Sequence, residues 1–286
     1  SRLLLGGIYA IISIGLNLIF GIVRIINFAH GEMVMIAMYL TYWSNVLFGI
    51  DPYVSIVFVV PIMFALGVII QRVVVQPILE ASSIMRIFTT VALSLILQNL
   101  ALIIWKGDFR SVQTSYSMAT VEYSGIIFSV PRLISFLVAL VSLGVLYYFL
   151  KHTSVGKAMR AIVEDYSVSR LMGVGVEKMY IFAFGLGSAF CGLAGALLMP
   201  FSSVYPTVGL HYTLVAFVVV VLGGLGNMGG TLLAALFIGV VESFSGTYIA
   251  PALKETVYFG IFIAVLLVRP QGLFGKGKGT EEVGLK

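Results

Sequence analysis

Residues 218–230 read VVVVLGGLGNMGG, a stretch that is compatible with two different folds. The segment GLGNMG, from Gly224 to Gly229, has the G-x-G-x-x-G spacing of a dinucleotide-binding loop, which belongs to α/β proteins with a parallel sheet. Glycines in an apolar segment also let membrane helices approach closely, or stop and restart where the backbone lines a cavity. The residues around this stretch decide between these folds.

Those surroundings argue against a nucleotide site. Glu242 follows Gly224 by 18 residues, near the spacing of the acidic residue in a dinucleotide fold, but the segment TLLAALFIGVVESF has no polar face and no second strand follows. Gly224 to Thr231 also fits a phosphate loop, except that Gly230 stands where the lysine is needed. We therefore predict a discontinuous membrane helix here, and the alternative is a tight turn between two short spans.

The overall composition supports a membrane protein. The chain has 286 residues, of which 60% are hydrophobic and 10% charged, with a mean hydropathy of +1.08. An ordinary soluble domain has about 25% charged residues. The 17 basic residues, which give a net charge of +5, lie in short patches between apolar blocks, a pattern of membrane orientation and not of nucleic-acid binding. Since the chain begins at Ser1 and not at methionine, we expect residues to precede it.

Apolar blocks of about 20 residues, the length of one crossing, recur along the whole chain. They fall at 3–23, 33–50, 53–75, 87–105, 131–150, 180–199 and 256–268, with 208–245 as two short crossings or an interrupted pair. The fold class expected is all-α, a polytopic membrane helix bundle of about eight or nine spans with broken or re-entrant segments. Residues 1–286 form a single transmembrane domain in this interpretation.

The basic residues predict the orientation. Placing 151–179 and the tail 269–286 in the cytosol puts 12 of the 17 basic residues inside. The polar loop 106–130 and the N-terminus then lie outside. The inside set is Arg24, Arg72, Arg86, Lys151, Lys157, Arg160, Arg170, Lys178, Arg269, Lys276, Lys278 and Lys286.

A second interruption lies at 21–40, where polar residues separate two apolar runs. Paired interruptions in the two halves of a transporter indicate its pathway, and half-helix N-termini can face anionic substrate groups. The alternatives are a short polar turn at the membrane surface, or a proton relay through His30 and Glu32. The predicted pathway residues are Asn27, His30, Gly31, Glu32, Gly224, Gly226 and Asn227.

Residues 151–179 predict a short amphipathic helix of about three turns. Thr153 and Ser154 are good N-caps, and Gly173 is placed to end a second short helix. Such a helix could lie on lipid headgroups, pack on its own bundle, or dock into a separate cytosolic protein. Its apolar face is formed at i, i+4, i+7, i+8 and i+11 by Val155, Met159, Ile162, Val163 and Tyr166.

Four stretches, in matching order and spread over nearly the whole chain, resemble the permease subunits of ABC importers for branched-chain (hydrophobic) amino acids. They are INFAHGEMVMIAMYL, HTSVGKAMRAIVEDYSVSRLMGV, VVVVLGGLGNMGGTLLAALFIGVVES and LLVRPQGLFG. The resemblance implies that 151–179 is a cytosolic coupling loop whose helix sits in a cleft of the ATP-hydrolysing subunit. The positions that match the loop motif, with roles in contact and turn geometry, are Gly156, Arg160, Ala161, Glu164, Asp165 and Gly173.

The family resemblance also implies partners and a location. The expected partners are cytosolic ATPase subunits, a second related permease subunit, an extracytoplasmic substrate-binding protein and the lipid bilayer of a bacterial or archaeal cytoplasmic (inner) membrane. The chain would then be a transport subunit and not an enzyme, with no cofactor of its own because its partners use the ATP. The alternatives are an ABC permease for another small substrate, such as urea or an amide, and an ion-coupled secondary transporter.

Overall fold

The computed structural model describes residues 4–123, 126–248, 253–269 and 271–274. The α-helices are α1 (Leu5–Val23), α2 (His30–Phe48), α3 (Ile56–Ile70), α4 (Ser83–Trp105), α5 (Val130–His152), α6 (Ser154–Glu164), α7 (Tyr166–Leu171), α8 (Val176–Leu198), α9 (Val208–Gly223), α10 (Met228–Tyr248) and α11 (Lys254–Val268). A π turn, Gln71–Val75, and a 3-10 turn, Gln76–Ile78, extend α3. Strands β1 (Thr120–Tyr123) and β2 (Ile126–Ser129) form an antiparallel hairpin.

The helices have the lengths and hydropathy of membrane spans. Within the described residues, six are long and apolar enough to cross a bilayer: Leu5–Val23, Ile56–Ile78, Ser83–Trp105, Val130–His152, Val176–Leu198 and Met228–Gly246. Two shorter apolar helices cover Val208–Gly223 and Glu255–Val268. The predicted all-α polytopic membrane bundle is therefore confirmed. The part of the predicted cytosolic tail at 275–286 lies outside the described residues.

Burial separates central helices from peripheral ones. In α1 and α8, 89% and 83% of the spanning window is buried inside the protein, whereas in α4 the share is 17%. Large apolar side chains such as Phe88 and Ile103 of α4 are exposed, as expected for a helix that faces lipid or another membrane subunit. The bundle is thus built around α1 and α8.

Small residues make α8 a packing centre. A side chain at Gly185 would meet Phe64 of α3, and one at Gly192 would meet Met63, so the small-residue stripe of α8 lies against α3. On its other faces α8 uses Gly187 against α1 and Gly195 against α2. Because neighbouring membrane helices gain stability from close van der Waals packing, these glycines hold the three helices together. Gly185, Ala189, Gly192 and Ala196 recur at i, i+4, i+7 and i+11, the spacing of residues on one face of a helix.

The connections divide into two groups at opposite ends of the bundle. On one face, Gly21 lies beside both Val163 of α6 and Gly226, and Arg86 donates to the Arg24 carbonyl. On the other face, the loop after α4 pairs with the loop after α8 through the bridge between Arg110 and Val204, and Tyr116 donates to Asp51. The face that carries α6 is the one for which the basic residues of 151–179 predict a cytosolic location.

Candidate functional site

The first interruption is a non-helical passage between α1 and α2. Helix α1 ends at Val23, and Arg24 adopts a left-handed conformation with φ 58° that turns the chain out of the helix. Thr90 of α4 donates to the Ile26 carbonyl at 3.0 Å, and Thr213 of α9 donates to the Phe28 carbonyl at 3.2 Å. Non-helical backbone at membrane depth needs such partners, because lipid offers none.

Helix α2 begins in the interior of the bundle. The His30 ring lies 2.9 Å from the carbonyl of Ile12, which is in the middle of α1, and 3.3 Å from the Cys191 sulfur on α8. The Gly31 amide donates to Thr213 Oγ1 at 3.0 Å. His30 is fully buried, so a polar turn at the membrane surface is wrong for this part of the interruption. Helix α2 thus starts about halfway along α1, and the expected role of its N-terminus in the pathway stays a prediction.

Helices α2 and α9 touch at Gly31. A side chain at Gly31 would overlap the carbonyl of Gly209 and Thr213, and a side chain at Gly209 would overlap the Glu32 carboxyl. Only glycine at both positions allows this approach of one backbone to the other. The contact closes the space in front of the α2 N-terminus in the conformation described.

Two polar side chains at this junction, Asn27 and Glu32, satisfy only part of their hydrogen-bonding capacity. Asn27 and Glu32 are each 1% exposed. Asn27 Oδ1 accepts a hydrogen bond from the Ala29 amide at 3.1 Å, and Glu32 Oε1 accepts one from Ser94 at 3.3 Å. Asn27 Nδ2 and Glu32 Oε2 have no hydrogen-bond partner among the described residues. Unsatisfied polar atoms are rare in protein interiors and mark a place with a functional or structural reason.

The second interruption, at 223–230, has a different structure. Helix α9 ends at Gly223, and Gly224 and Gly226 adopt φ values of 91° and 80° that favour glycine. Gly223 lies directly against Gly230 and Thr231, and α10 then packs alongside α9. The predicted discontinuous helix is therefore wrong here. A tight turn connects two helices that are packed side by side, because the small residues allow their ends to touch.

The turn is also a binding surface for the C-terminal part of the same chain. The Leu273 amide donates to the Leu222 carbonyl at 2.8 Å, and Asn227 Nδ2 donates to the Phe274 carbonyl at 2.8 Å. Asn227 Oδ1 accepts from the Gly230 amide at 3.0 Å, so both ends of this side chain are occupied. We call residues 271–274 the C-terminal strap. No local sequence pattern predicts this contact.

The two predicted groups of pathway residues are not brought together. Asn27, His30, Gly31 and Glu32 meet α9 near Gly209 and Thr213, whereas Gly224, Gly226 and Asn227 follow its other end. From Thr213 to Gly224 an α-helix rises about 16 Å, at about 1.5 Å per residue. The first group is inside the bundle, and the second is at the end of the bundle that carries α6.

Helix α6 has the predicted length and caps. Thr153 Oγ1 accepts the Gly156 amide at 3.0 Å as the N-cap, and Asp165 Oδ1 accepts the Val168 amide at 2.9 Å as the N-cap of α7. Gly173, with φ 81°, ends the turn after α7. Gly156 lies against the backbone of α5, where a side chain would overlap Leu150. Three of the predicted coupling residues thus set turn and contact geometry.

The outer face of α6 is open. Met159 and Ile162 are buried against the bundle, so the apolar face of α6 is occupied by its own chain and does not remain free for a partner. Val163, which the periodicity placed on that face, is 39% exposed. The predicted coupling residues Arg160, Ala161 and Glu164 are exposed on the outer side. Beyond α6, Leu171 and Met172 are 87% and 79% exposed, an unusual position for large apolar side chains at a polar face.

Comparison with known proteins gives one consistent family. Residues 1–266 match the family model described as "Branched-chain amino acid transport system / permease component". The chain is 29% identical to the high-affinity branched-chain amino acid transport system permease protein BraD of Pseudomonas aeruginosa, over 96% of this chain and 94% of that protein. It is 30% identical to LivH, the permease protein of the corresponding Escherichia coli K12 system, over 95% of this chain and 92% of LivH.

A shorter match connects the chain to a sugar permease. The ribose import permease protein RbsC of Haemophilus influenzae is 35% identical over 106 residues, which is 35% of this chain and 33% of RbsC. No solved structure matches the chain.

Proposed function

The chain belongs to the branched-chain amino acid transport permease family, and from this premise we propose that it is one membrane subunit of an ATP-driven importer for branched-chain or related hydrophobic amino acids. The ATP would be hydrolysed by cytosolic partner subunits. A second, related permease chain would complete the membrane part, and an extracytoplasmic binding protein would deliver the substrate. The location that follows is the cytoplasmic (inner) membrane of a bacterium or archaeon.

The observation that carries this proposal, beside the family, is the construction of α6. Its inner face is packed on α5, α8 and α1, while Arg160 and Glu164 are exposed, with Arg160 donating to the Lys151 carbonyl of α5 at 3.3 Å. A partner that binds the outer face would move the cytosolic ends of these helices together with α6. Closing and opening of two ATPases would thus be transmitted as a rigid-body movement of the bundle.

Helix α6 also connects mechanically to the second interruption. Gly21 of α1 lies between Val163 of α6 and Gly226 of the glycine-rich turn. Asn17 of α1 accepts the Gly226 amide at 2.7 Å and donates to Thr231 at 2.8 Å. In our proposal, force applied at α6 reaches α9 and α10 by this route.

The peripheral helix α4 is our candidate for contact with the second permease chain. Only Thr90, Leu93 and Ala101 of this helix are buried in the described part of the chain. Thr90 and Ser94 nevertheless face the polar passage at Ile26 and Glu32. A pathway that runs beside α4 would therefore be completed by the neighbouring permease.

The proposal is tested by reversing the charges on α6. In an assembly of both permease chains and two ATPases in lipid vesicles, the double variant Arg160→Glu, Glu164→Arg should lose ATP hydrolysis that is stimulated by loaded binding protein. The control is Glu122→Lys, an exposed carboxylate of β1 on the opposite face. Stimulation that survives the double variant, in a chain that still inserts and assembles, would contradict docking through α6.

A second candidate function is import of another small polar substrate by the same mechanism. It is favoured by the match to a ribose permease over about a third of the chain, 35%. Competition of labelled leucine uptake by isoleucine, valine, ribose and urea, measured with the cognate binding protein, separates the two functions.

A further inference from the structure

The N-terminal end of α2 combines three features that together describe a receptor for a small zwitterion. It is the positive end of a 19-residue helix, it begins inside the bundle, and it is flanked by two polar atoms that have no partner in the described part of the chain. Asn27 Nδ2 is a hydrogen-bond donor and Glu32 Oε2 is an acceptor. Both side chains are 1% exposed, so water does not satisfy these atoms in the conformation described.

Helices α4 and α9 surround this end with small and hydroxyl-bearing residues. On α4, Thr90 and Ser94 are one turn apart and contact Ile26 and Glu32 respectively. On α9, Gly209 and Thr213 are also one turn apart and lie against Gly31 and Glu32. Residues separated by one helical turn share a face, so both helices direct a polar or small face toward the passage.

One further polar residue continues the face of α4. Gln98 stands one turn beyond Ser94 and is half-buried. Thr90, Ser94 and Gln98 form a line along α4, and Glu32 lies beside its middle member. A polar group of the substrate could move along this line of side chains, while the neighbouring apolar residues contact the hydrocarbon side chain of the substrate.

We propose that this junction is the point at which the permease recognises the charged groups of its amino acid substrate. Glu32 Oε2 takes the α-ammonium group, and Asn27 Nδ2 with the α2 N-terminus takes the α-carboxylate. This assignment rests on the proposed amino acid transport and adds the residues that read the substrate. An ammonium group that leaves water needs a charged or hydrogen-bonded partner, and Glu32 is the acidic side chain at this junction.

The same contacts explain why the site is closed in the conformation described. Gly209 packs against Glu32, and the Gly31 amide is held by Thr213, so on the side of α9 these groups become accessible when α9 moves away from α2. A force on α6 that is transmitted through Gly21 and Gly226 would also move α9. A single displacement of α9 would then both open the site and allow the substrate to bind.

Substrate uptake by Glu32→Gln tests the assignment. Gln keeps the size and one acceptor but removes the charge, so leucine uptake at saturating loaded binding protein should fall roughly 30-fold or more, as for the loss of one member of a buried charge pair. The matched control is Glu242→Gln, a buried carboxyl on α10 whose Oε2 already accepts from Tyr9 at 2.6 Å. Uptake by Glu242→Gln should stay within about twofold of the original.

A labelling experiment tests the same point without transport and without the Glu32 variant. Ser94→Cys places a thiol beside Glu32, and its reaction with a methanethiosulfonate is measured on this chain during ATP turnover. We expect the ammonium-bearing reagent to react about tenfold faster than the sulfonate-bearing one. Equal rates, or a faster sulfonate, would overturn the assignment even if Glu32→Gln did not assemble.

Leucine uptake by the original assembly and by Glu32→Gln distinguishes failure of the proposed function from failure of the Glu32 assignment. If the original assembly takes up no leucine, the proposed function is wrong. If it takes up leucine and Glu32→Gln does so at the same rate, only the assignment of Glu32 is wrong.

Discussion

Two asparagines, each at an interruption of the helical chain, have opposite surroundings. Asn227 uses both ends of its side chain, donating to Phe274 and accepting from Gly230. Asn27 accepts from Ala29, but its Nδ2 has no partner among the described residues. An unsatisfied buried donor costs free energy, so Asn27 Nδ2 at the first interruption remains available to bind a ligand. At the second interruption, both ends of the Asn227 side chain are already hydrogen-bonded. The difference separates a structural turn from a candidate substrate site, although both looked alike in sequence.

The largest effect should come from closing the glycine contact at the first interruption. A methyl group at Gly31 would overlap the Gly209 backbone, so Gly31→Ala should destabilise the chain by about 3 kcal/mol or prevent its assembly. At the second interruption, Gly226 has φ 80° but open space around it, so Gly226→Ala should cost only about 1–2 kcal/mol. Thermal unfolding of the purified assembly measures both.

Gly144 on α5 provides the control for that pair. It is helical and no atom would meet its added methyl group, so Gly144→Ala should leave the unfolding temperature unchanged or slightly raised. A Gly31→Ala chain as stable as Gly144→Ala would show that the close contact of α2 and α9 is absent in the membrane.

The two asparagines themselves should respond in opposite ways. Asn227→Ala removes two hydrogen bonds and releases the C-terminal strap, so stability should fall by about 2 kcal/mol while uptake per folded complex is kept. Asn27→Ala removes one hydrogen bond and should cost about 1 kcal/mol, yet uptake should fall more than with Asn227→Ala. Unfolding temperature and leucine uptake are measured on the same preparations. Equal loss of uptake in both variants would contradict the proposed difference between the two asparagines.

The smallest effect concerns a loop that belongs to neither interruption. Burial, with the hydrogen bond from Tyr116 to Asp51, raises the pKa of the Tyr116 phenol above its ordinary value. The stability it contributes is therefore complete below the unfolded pKa and is lost as the pH rises through the higher folded pKa. Ultraviolet titration of tyrosinate should show one late-titrating tyrosine fewer in Tyr116→Phe. Loss of a tyrosine that titrates at the ordinary pKa would contradict the raised pKa of Tyr116.

Patterns within one helix were predictable from the sequence. The apolar blocks predicted most of the spanning helices, and Thr153 predicted the start of α6. Each of these depends on neighbours a few residues apart, where helical periodicity and capping preferences apply directly. The position of Gly173 after a second short helix was predictable for the same reason.

Contacts between distant parts of the chain were not predictable. The strap at 271–274 meets a turn about fifty positions earlier, and Tyr9 pairs with Glu242 across 233 positions. The glycines at 223–230 were compatible with a broken helix or with a turn, and only the approach of Thr231 to Gly223 distinguishes them. Likewise, hydropathy could identify Asn27 and Glu32 as interruptions, but not that each keeps one polar atom free.

The central claim is that α6 is held by this chain on its inner face and by an ATPase on its outer face. A photoactivatable phenylalanine analogue at Glu164 tests it in the complete assembly in lipid, with the same analogue at Glu122 as the opposite-face control. The account predicts that Glu164 cross-links to an ATPase subunit and that Glu122 does not. Cross-links from Glu164 only to lipid, to this chain or to the external binding protein would contradict it.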